Sequence, residues 1–257
     1  MVKKHSYKKK NPVLKPYIRS IELEETEEID RAIYPFCIPA INRLGTLRLD
    51  ADVTLFVGEN GTGKSTLLEA IALAMGFSEE GGSIDHQFSN ASTVSDLHRF
   101  VLPKKGLGKP AEGFFLRAES LYNFATYANE HQSTRYGGNL HTQSHGESFL
   151  ALLNQLEGNG LYILDEPEAA LSPARQQTAL ALIHQLVKHN SQFIIATHSP
   201  ILLAYPNAQI ICCDQDGWHE TTYEDTEHYE ITKYFLNNYQ RQVQRLLEDD
   251  AEPDNYQ

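Results

Sequence analysis

Cysteine is scarce: it occurs three times in 257 residues, as Cys37 and the adjacent Cys212 and Cys213. An odd set without metal-ligand or redox spacing excludes a disulfide framework and suits a reducing compartment, so a cytoplasmic protein is expected. No apolar run approaches the roughly 18 to 20 residues that cross a bilayer. The start MVKKHSYKKK leads into no apolar signal core, so a soluble chain without membrane insertion is expected. Internal repeats and sustained heptads are also missing, which excludes a solenoid and a long coiled-coil arm. Acidic residues are absent from the first 19 positions, where seven Lys and Arg stand. The remaining 15 basic and 34 acidic residues leave the body at −19, within a total of −12. Such a body attracts nucleic acid poorly, because that binding rests on cations neutralising phosphates. A nucleic-acid partner is thus possible through the basic arm but not supported by the charge.

What is present alternates. From about 17 to 57 the chain is β-prone, in YIRSIEL, IYPFCIPAI, TLRL and VTLFV. A helix is expected from Lys64 to about Met75, since LLEAIALAM is apolar on most faces. Residues 76–113, with GFSEEGGS and PKKGLGKP, read as loops around a small inserted element. FFLRAES reads as a strand and LYNFATYAN as a helix. From Gly146 onward ESFLALLNQL, LYILD, PARQQTALALIHQLVKH, QFIIAT, SPILLAY and AQIICC alternate helix with strand. That order implies crossovers and a parallel sheet covered by helices. A last amphipathic helix is expected from about Glu227 to Leu247. The fold class is therefore α/β: a mixed, mainly parallel sheet core with flanking helices, a β-rich N-terminal part and a small inserted subdomain. The expected organisation is a flexible basic arm at 1–16, one domain at 17–247 with an inserted, helical region at about 77–145, and a disordered acidic tail at 248–257.

Three stretches carry chemistry. GENGTGKST, residues 58–66, fits G-x-x-x-x-G-K-[ST] between an apolar strand and an apolar helix, the context of a phosphate loop. Gly58, Glu59, Asn60, Gly61, Thr62, Gly63, Lys64, Ser65 and Thr66 are the candidate ATP-binding residues. The glycines let backbone N–H groups curl around a β-phosphate, Lys64 reaches the β- and γ-phosphates, and the Ser65 hydroxyl binds Mg²⁺. In LYILDEPEAALSPARQ an apolar strand ends in Asp165, at the carboxyl edge where parallel sheets bind ligands. Asp165 is the second candidate ligand for magnesium. Glu166, one residue on, is placed to polarise a water for attack on the γ-phosphate. In FIIATHSPIL another strand runs out into His198, which emerges on the same edge and can sense the γ-phosphate charge. Lys64, Glu166 and His198 are the candidate catalytic residues, and ATP and Mg²⁺ the expected cofactors.

In that combination the chain resembles the ABC-type ATPases from about residue 53 to 212. The likeness is to the soluble branch with the SMC, RecF-like and OLD-type ATPases, and more closely to compact, stand-alone bacterial ATPases of the AAA/ABC type. The resemblance implies a P-loop NTPase fold of ABC-ATPase type that hydrolyses ATP and closes as a head-to-tail homodimer around two nucleotides. It also implies a further protein partner or effector. SHGES, residues 144–148, then stands where that family carries its signature. Ser144, His145, Gly146 and Glu147 would face the γ-phosphate held by the other copy; read by itself, the stretch only caps its helix. A glutamine expected after FFLRAES is missing, leaving Arg117, Glu119, Ser120 or Gln87 as stand-ins, and Tyr34 or Phe36 as the adenine-stacking aromatic. Two other functions stay open: the ATPase subunit of a membrane transporter, and an ATP-dependent sensor or scaffold for a separate effector.

Overall fold

The structure, a computed structural model, describes residues 15–78, 82–83, 95–117 and 145–248. Its strands are β1 (Ile18–Leu23), β2 (Leu47–Arg48), β3 (Val53–Val57), β4 (Gly82–Ser83), β5 (Val101–Lys105), β6 (Glu112–Arg117), β7 (Gly160–Asp165), β8 (Gln192–Ala196), β9 (Gln209–Asp214) and β10 (Gly217–Thr221). Its α-helices are α1 (Pro39–Asn42), α2 (Lys64–Ala74), α3 (His145–Gln155), α4 (Pro173–Lys188), α5 (Pro200–Leu203) and α6 (Glu227–Leu247). Two sheets form, one in the order β2-β1-β5 and one in the order β10-β9-β3-β8-β7-β6-β4. The small sheet is antiparallel. In the large one the run β9-β3-β8-β7-β6 is parallel, and β10 and β4 close the two ends antiparallel.

The parallel strands are apolar at successive positions because both faces of the sheet are covered, so the usual alternation disappears. On one face Phe56, Leu161, Ile163, Ile194 and Ala196 pack with Leu67, Leu68 and Ile71 of α2 and with Ile18 and Ile21 of the small sheet. On the other, Val53, Leu55, Tyr162, Leu164, Phe193 and Ile195 pack with Phe149, Leu152 and Leu153 of α3 and Ala179, Ile183 and Leu186 of α4. Each Val, Leu, Ile or Phe among them contributes about 1.5–3 kcal/mol by leaving water, which fixes the register of the strands and so the level at which their carboxyl ends emerge. A buried amide ties the two sheets together. Gln192 Oε1 accepts from the backbone N–H of Tyr17 (2.8 Å) and Ile18 (3.0 Å), and Nε2 donates to the carbonyls of Ile18 and Leu49, each at 2.9 Å. All four hydrogen-bonding positions of the amide are thereby used.

Three expectations change. IYPFCIPAI is not a strand: it turns and then forms α1, whose first residue is Pro39. Proline removes ladder donors and is suited to the first position of a helix. The described part of residues 77–145, expected as an inserted, helical region, holds β4 and β5 besides β6, which begins the expected strand FFLRAES, and these belong to the two sheets. VLPKK reads as a loop by composition, yet β5 is an edge strand, where proline and lysine are tolerated. The hairpin strand β10 is an addition; its signal is the Asp216-Gly217 turn, with Gly217 at φ 120°. The last helix has the expected ends, Glu227 and Leu247. LYNFATYAN, Gln87, Glu119, Ser120, Ser144, residues 1–14 of the basic arm and residues 249–257 of the tail lie outside the described residues. Lys15, at the end of that arm, is docked: its ammonium pairs with Asp52 at 2.8 Å and donates to the Val187 carbonyl at 3.2 Å.

Candidate nucleotide site

Strand β3 delivers the glycine-rich loop and α2 begins at Lys64. Gly58 is required twice over. Its φ is 146°, and a Cβ there would lie 2.1 Å from the carbonyl oxygen of Cys213 on β9, so the loop leaves the sheet along a path only glycine can take. Gly63, at φ 107°, turns the chain into the helix with a left-handed residue. The loop is braced from within: Thr62 Oγ1 donates to the Glu59 carbonyl at 2.8 Å, and Cys213 Sγ to the Thr62 carbonyl at 3.3 Å. Lys64 is buried, and its ammonium donates to the carbonyls of Gly58 and Glu59, each at 2.7 Å. Burial pulls its pKa down, against the attraction of nearby acidic groups that include Glu166 and Asp165.

Strands β7 and β8 bring the other candidates to the same edge. Phe56, Ala196, Asp165 and Arg117 stand at one level across β3, β8, β7 and β6. The Ser65 hydroxyl donates to Asp165 Oδ1 at 3.0 Å, so the start of α2 and the end of β7 meet. Glu166 follows at φ 48°, an uncommon conformation for a side chain with a Cβ. Its N–H donates to the Ala196 carbonyl at 2.9 Å, and its side chain stays 42% exposed, 3.6 Å from His198 Nε2. His198 Nδ1 lies 2.9 Å from His228 Nε2 on the first turn of α6, while His198 Nε2 is buried without a hydrogen-bond partner among the described residues.

Burial pushes the Asp165 carboxyl up to about 6, against the Ser65 hydrogen bond and the Arg117 charge. This folded value lies above the roughly 3.9 of an unfolded aspartate. The ionised carboxylate therefore costs stability, and the cost sets in as pH rises through about 4 to about 6. Asp165→Asn should stabilise the metal-free protein at pH 8 by on the order of 1–3 kcal/mol while abolishing hydrolysis. The denaturant midpoint at pH 8 measures this; a midpoint equal to or below wild type would mean that the carboxylate is stabilising.

The chain from 58 to 66 meets Asp165, Glu166 and His198, as expected. Gly146 is buried, and a Cβ there would lie 2.6 Å from the Ala170 carbonyl and 2.9 Å from an Arg175 guanidinium nitrogen. Glu147 is exposed and bonded to Arg175 at 2.9 Å. The glycine thus serves the close approach of α3 to the turn at Pro167–Ala170. His145 opens α3, and nothing is described of its side chain. Of the two aromatics, Phe36 is core, edge-on to Phe100, whereas Tyr34 is 64% exposed with its hydroxyl 3.4 Å from Thr66 Oγ1. Arg117 pairs with Glu69 of α2.

Several residues escaped sequence reasoning. His228 is remote in sequence and has no motif. Glu168 accepts the His198 backbone N–H at 2.5 Å, and Gln176 accepts the Ser199 hydroxyl at 2.5 Å; both lie inside DEPEAALSPARQ, where the acidic spacing was the available signal. Cys212 was expected to lack metal-ligand spacing, but the β9–β10 register brings its sulfur and ligand atoms of Asp214 and His219 within 4.8 Å of one another. Asp214 Oδ1 is already committed to the turn amides of Asp216 and Gly217.

A family model described as an AAA domain matches residues 36–199. No curated protein matches the chain in sequence. Among solved structures, cbiO1 from Clostridium perfringens, part of the ABC transporter complex cbiONQ, is 17% identical with a TM-score of 0.49, over 91% of this chain and 100% of that one. The SMC head domain from Thermotoga maritima is 16% identical with a TM-score of 0.44, over 80% of this chain and 99% of that one. No described helix is long and apolar enough to cross a membrane.

Proposed function

Because the chain belongs to the AAA-domain family and is a P-loop ATPase, we propose that two copies close head to tail around two ATP molecules. Hydrolysis then drives or times a conformational change in a protein partner, of the kind used in DNA maintenance or in defence against phage. The observation that carries the nucleotide site is the hydrogen bond between Ser65 and Asp165. It joins two motifs 100 residues apart beside Glu166 and His198.

The residues divide the work by their chemistry. Lys64 exchanges the carbonyls of Gly58 and Glu59 for β- and γ-phosphate oxygens, and the N–H groups at the start of α2 cradle the β-phosphate. A hydroxyl and a carboxylate are hard oxygen donors, so Ser65 and Asp165 fit Mg²⁺ and would hold it. When bound, that ion neutralises charge on the β- and γ-phosphate oxygens. Glu166 orients the attacking water and takes its proton, and His198 Nε2, unpartnered among the described residues, donates to the γ-phosphate. The signature residues Ser144, His145, Gly146 and Glu147 act on the nucleotide of the other copy. Support for this comes from α3, which begins at His145, since the first N–H groups of a helix have no partner within it.

The experiment mixes two inactive variants. Ser144→Arg blocks the signature and Lys64→Ala the phosphate loop, so each alone is inactive. In a mixed dimer both lesions fall in one site, and the other site is intact. Mixing should restore part of the ATPase activity, or ATP-dependent heterodimers if both sites must act together. Folded variants that give neither would return SHGES to a helix cap within its own chain.

A further inference from the structure

We propose that His228 is a positioning residue: by donating from its Nε2–H to Nδ1 of His198, it holds His198 in the tautomer that carries its proton on Nε2. His198 then presents a donor toward Glu166 and the γ-phosphate. The phosphate part rests on the nucleotide site described above; the tautomer does not. The contact between the two rings, 2.9 Å from His198 Nδ1 to His228 Nε2, permits one proton to be shared in either direction. The far side of His198 decides which. Its Nε2 is buried, without a hydrogen-bond partner among the described residues, and lies 3.6 Å from the Glu166 carboxylate. Were Nδ1 the protonated nitrogen, a bare Nε2 lone pair, buried from water, would face a carboxylate oxygen, acceptor against acceptor. With the proton on Nε2 a donor faces the carboxylate instead, Nδ1 becomes an acceptor, and the shared proton must come from His228.

Two features make the assignment single-valued. Burial, followed by the Lys64 charge, lowers the pKa of both rings, so at neutral pH each is uncharged and carries one proton. Backbone anchors hold both rings: the His198 N–H is fixed by Glu168 at 2.5 Å, and the first turn of α6 is capped by Thr226, which accepts from the Tyr229 N–H at 3.4 Å. A tautomer set by the hydrogen bond at the opposite nitrogen is a general property of imidazole.

Histidine-selective ¹⁵N NMR of the full chain without nucleotide, with the His198 signals assigned by their loss in a His198→Gln variant, reads the tautomer directly. Protonated Nε2 and bare Nδ1 are expected, and a protonated Nδ1 would overturn the proposal. Kinetics supply the second arm. His228→Leu removes the donor at similar volume and should lower kcat about tenfold with KM for ATP moving less than about threefold. His228→Gln, which returns an N–H at the Nε2 position, should recover kcat to within about threefold of wild type. A glutamine variant no better than the leucine variant, both folded, would also overturn it. A chain that hydrolyses no ATP would remove the nucleotide reading, and the NMR result would still decide the tautomer.

Discussion

Glu166→Gln should lower ATP turnover by about 10²-fold or more while leaving ATP binding in place. The amide keeps the volume of the carboxylate and its place beside His198, but it cannot take a proton from water. The backbone geometry survives the change, because the Glu166 N–H bond to Ala196 and the left-handed φ of 48° belong to the main chain. Unhydrolysed ATP should then hold the two copies together, so size-exclusion chromatography with ATP and Mg²⁺ should show a dimer. Turnover close to wild type would remove Glu166 from the chemistry, and a monomer under those conditions would count against the head-to-tail arrangement.

Lys64→Ala should weaken ATP binding at least about 30-fold, or roughly 2 kcal/mol, the scale of a charge-assisted hydrogen bond that is lost. Its two present acceptors, the carbonyls of Gly58 and Glu59, lie in the loop itself, and the loop path is set by Gly58 against Cys213 and not by the lysine. The variant should therefore fold normally and lose affinity alone. Calorimetry that returned an unchanged affinity would remove the phosphate-loop assignment.

The parts of this site that could be read from the sequence are those whose chemistry and periodicity are local. GENGTGKST contains both the turn and its lysine, and LYILD and QFIIA are apolar runs long enough to declare buried strands that end in Asp165 and before His198. The rest depends on distance along the chain. His228 reaches His198 only because α6 begins beside the end of β8, and no spacing announces that. VLPKK was legible as a loop by composition, since nothing local says that β1 stands next to it. Gly146 carries a packing demand that no local pattern announces, because the Ala170 carbonyl that a Cβ there would meet lies 24 residues further on.

The Gln192 amide has a consequence for the order in which the protein can be made. Its partners at Tyr17 and Ile18 are 175 and 174 residues upstream, and β3 lies between β8 and β9, both supplied by the last quarter of the chain. On the ribosome the amino-terminal sheet and β3 are complete in sequence long before their partners exist. Through most of synthesis VTLFV thus has two open edges and no sheet to join. Loop closure over such separations is slow, and an apolar strand left waiting is the surface on which nascent chains associate wrongly. Strand β3 can enter the large sheet only once residue 192 and the strands β8 and β9 have been made.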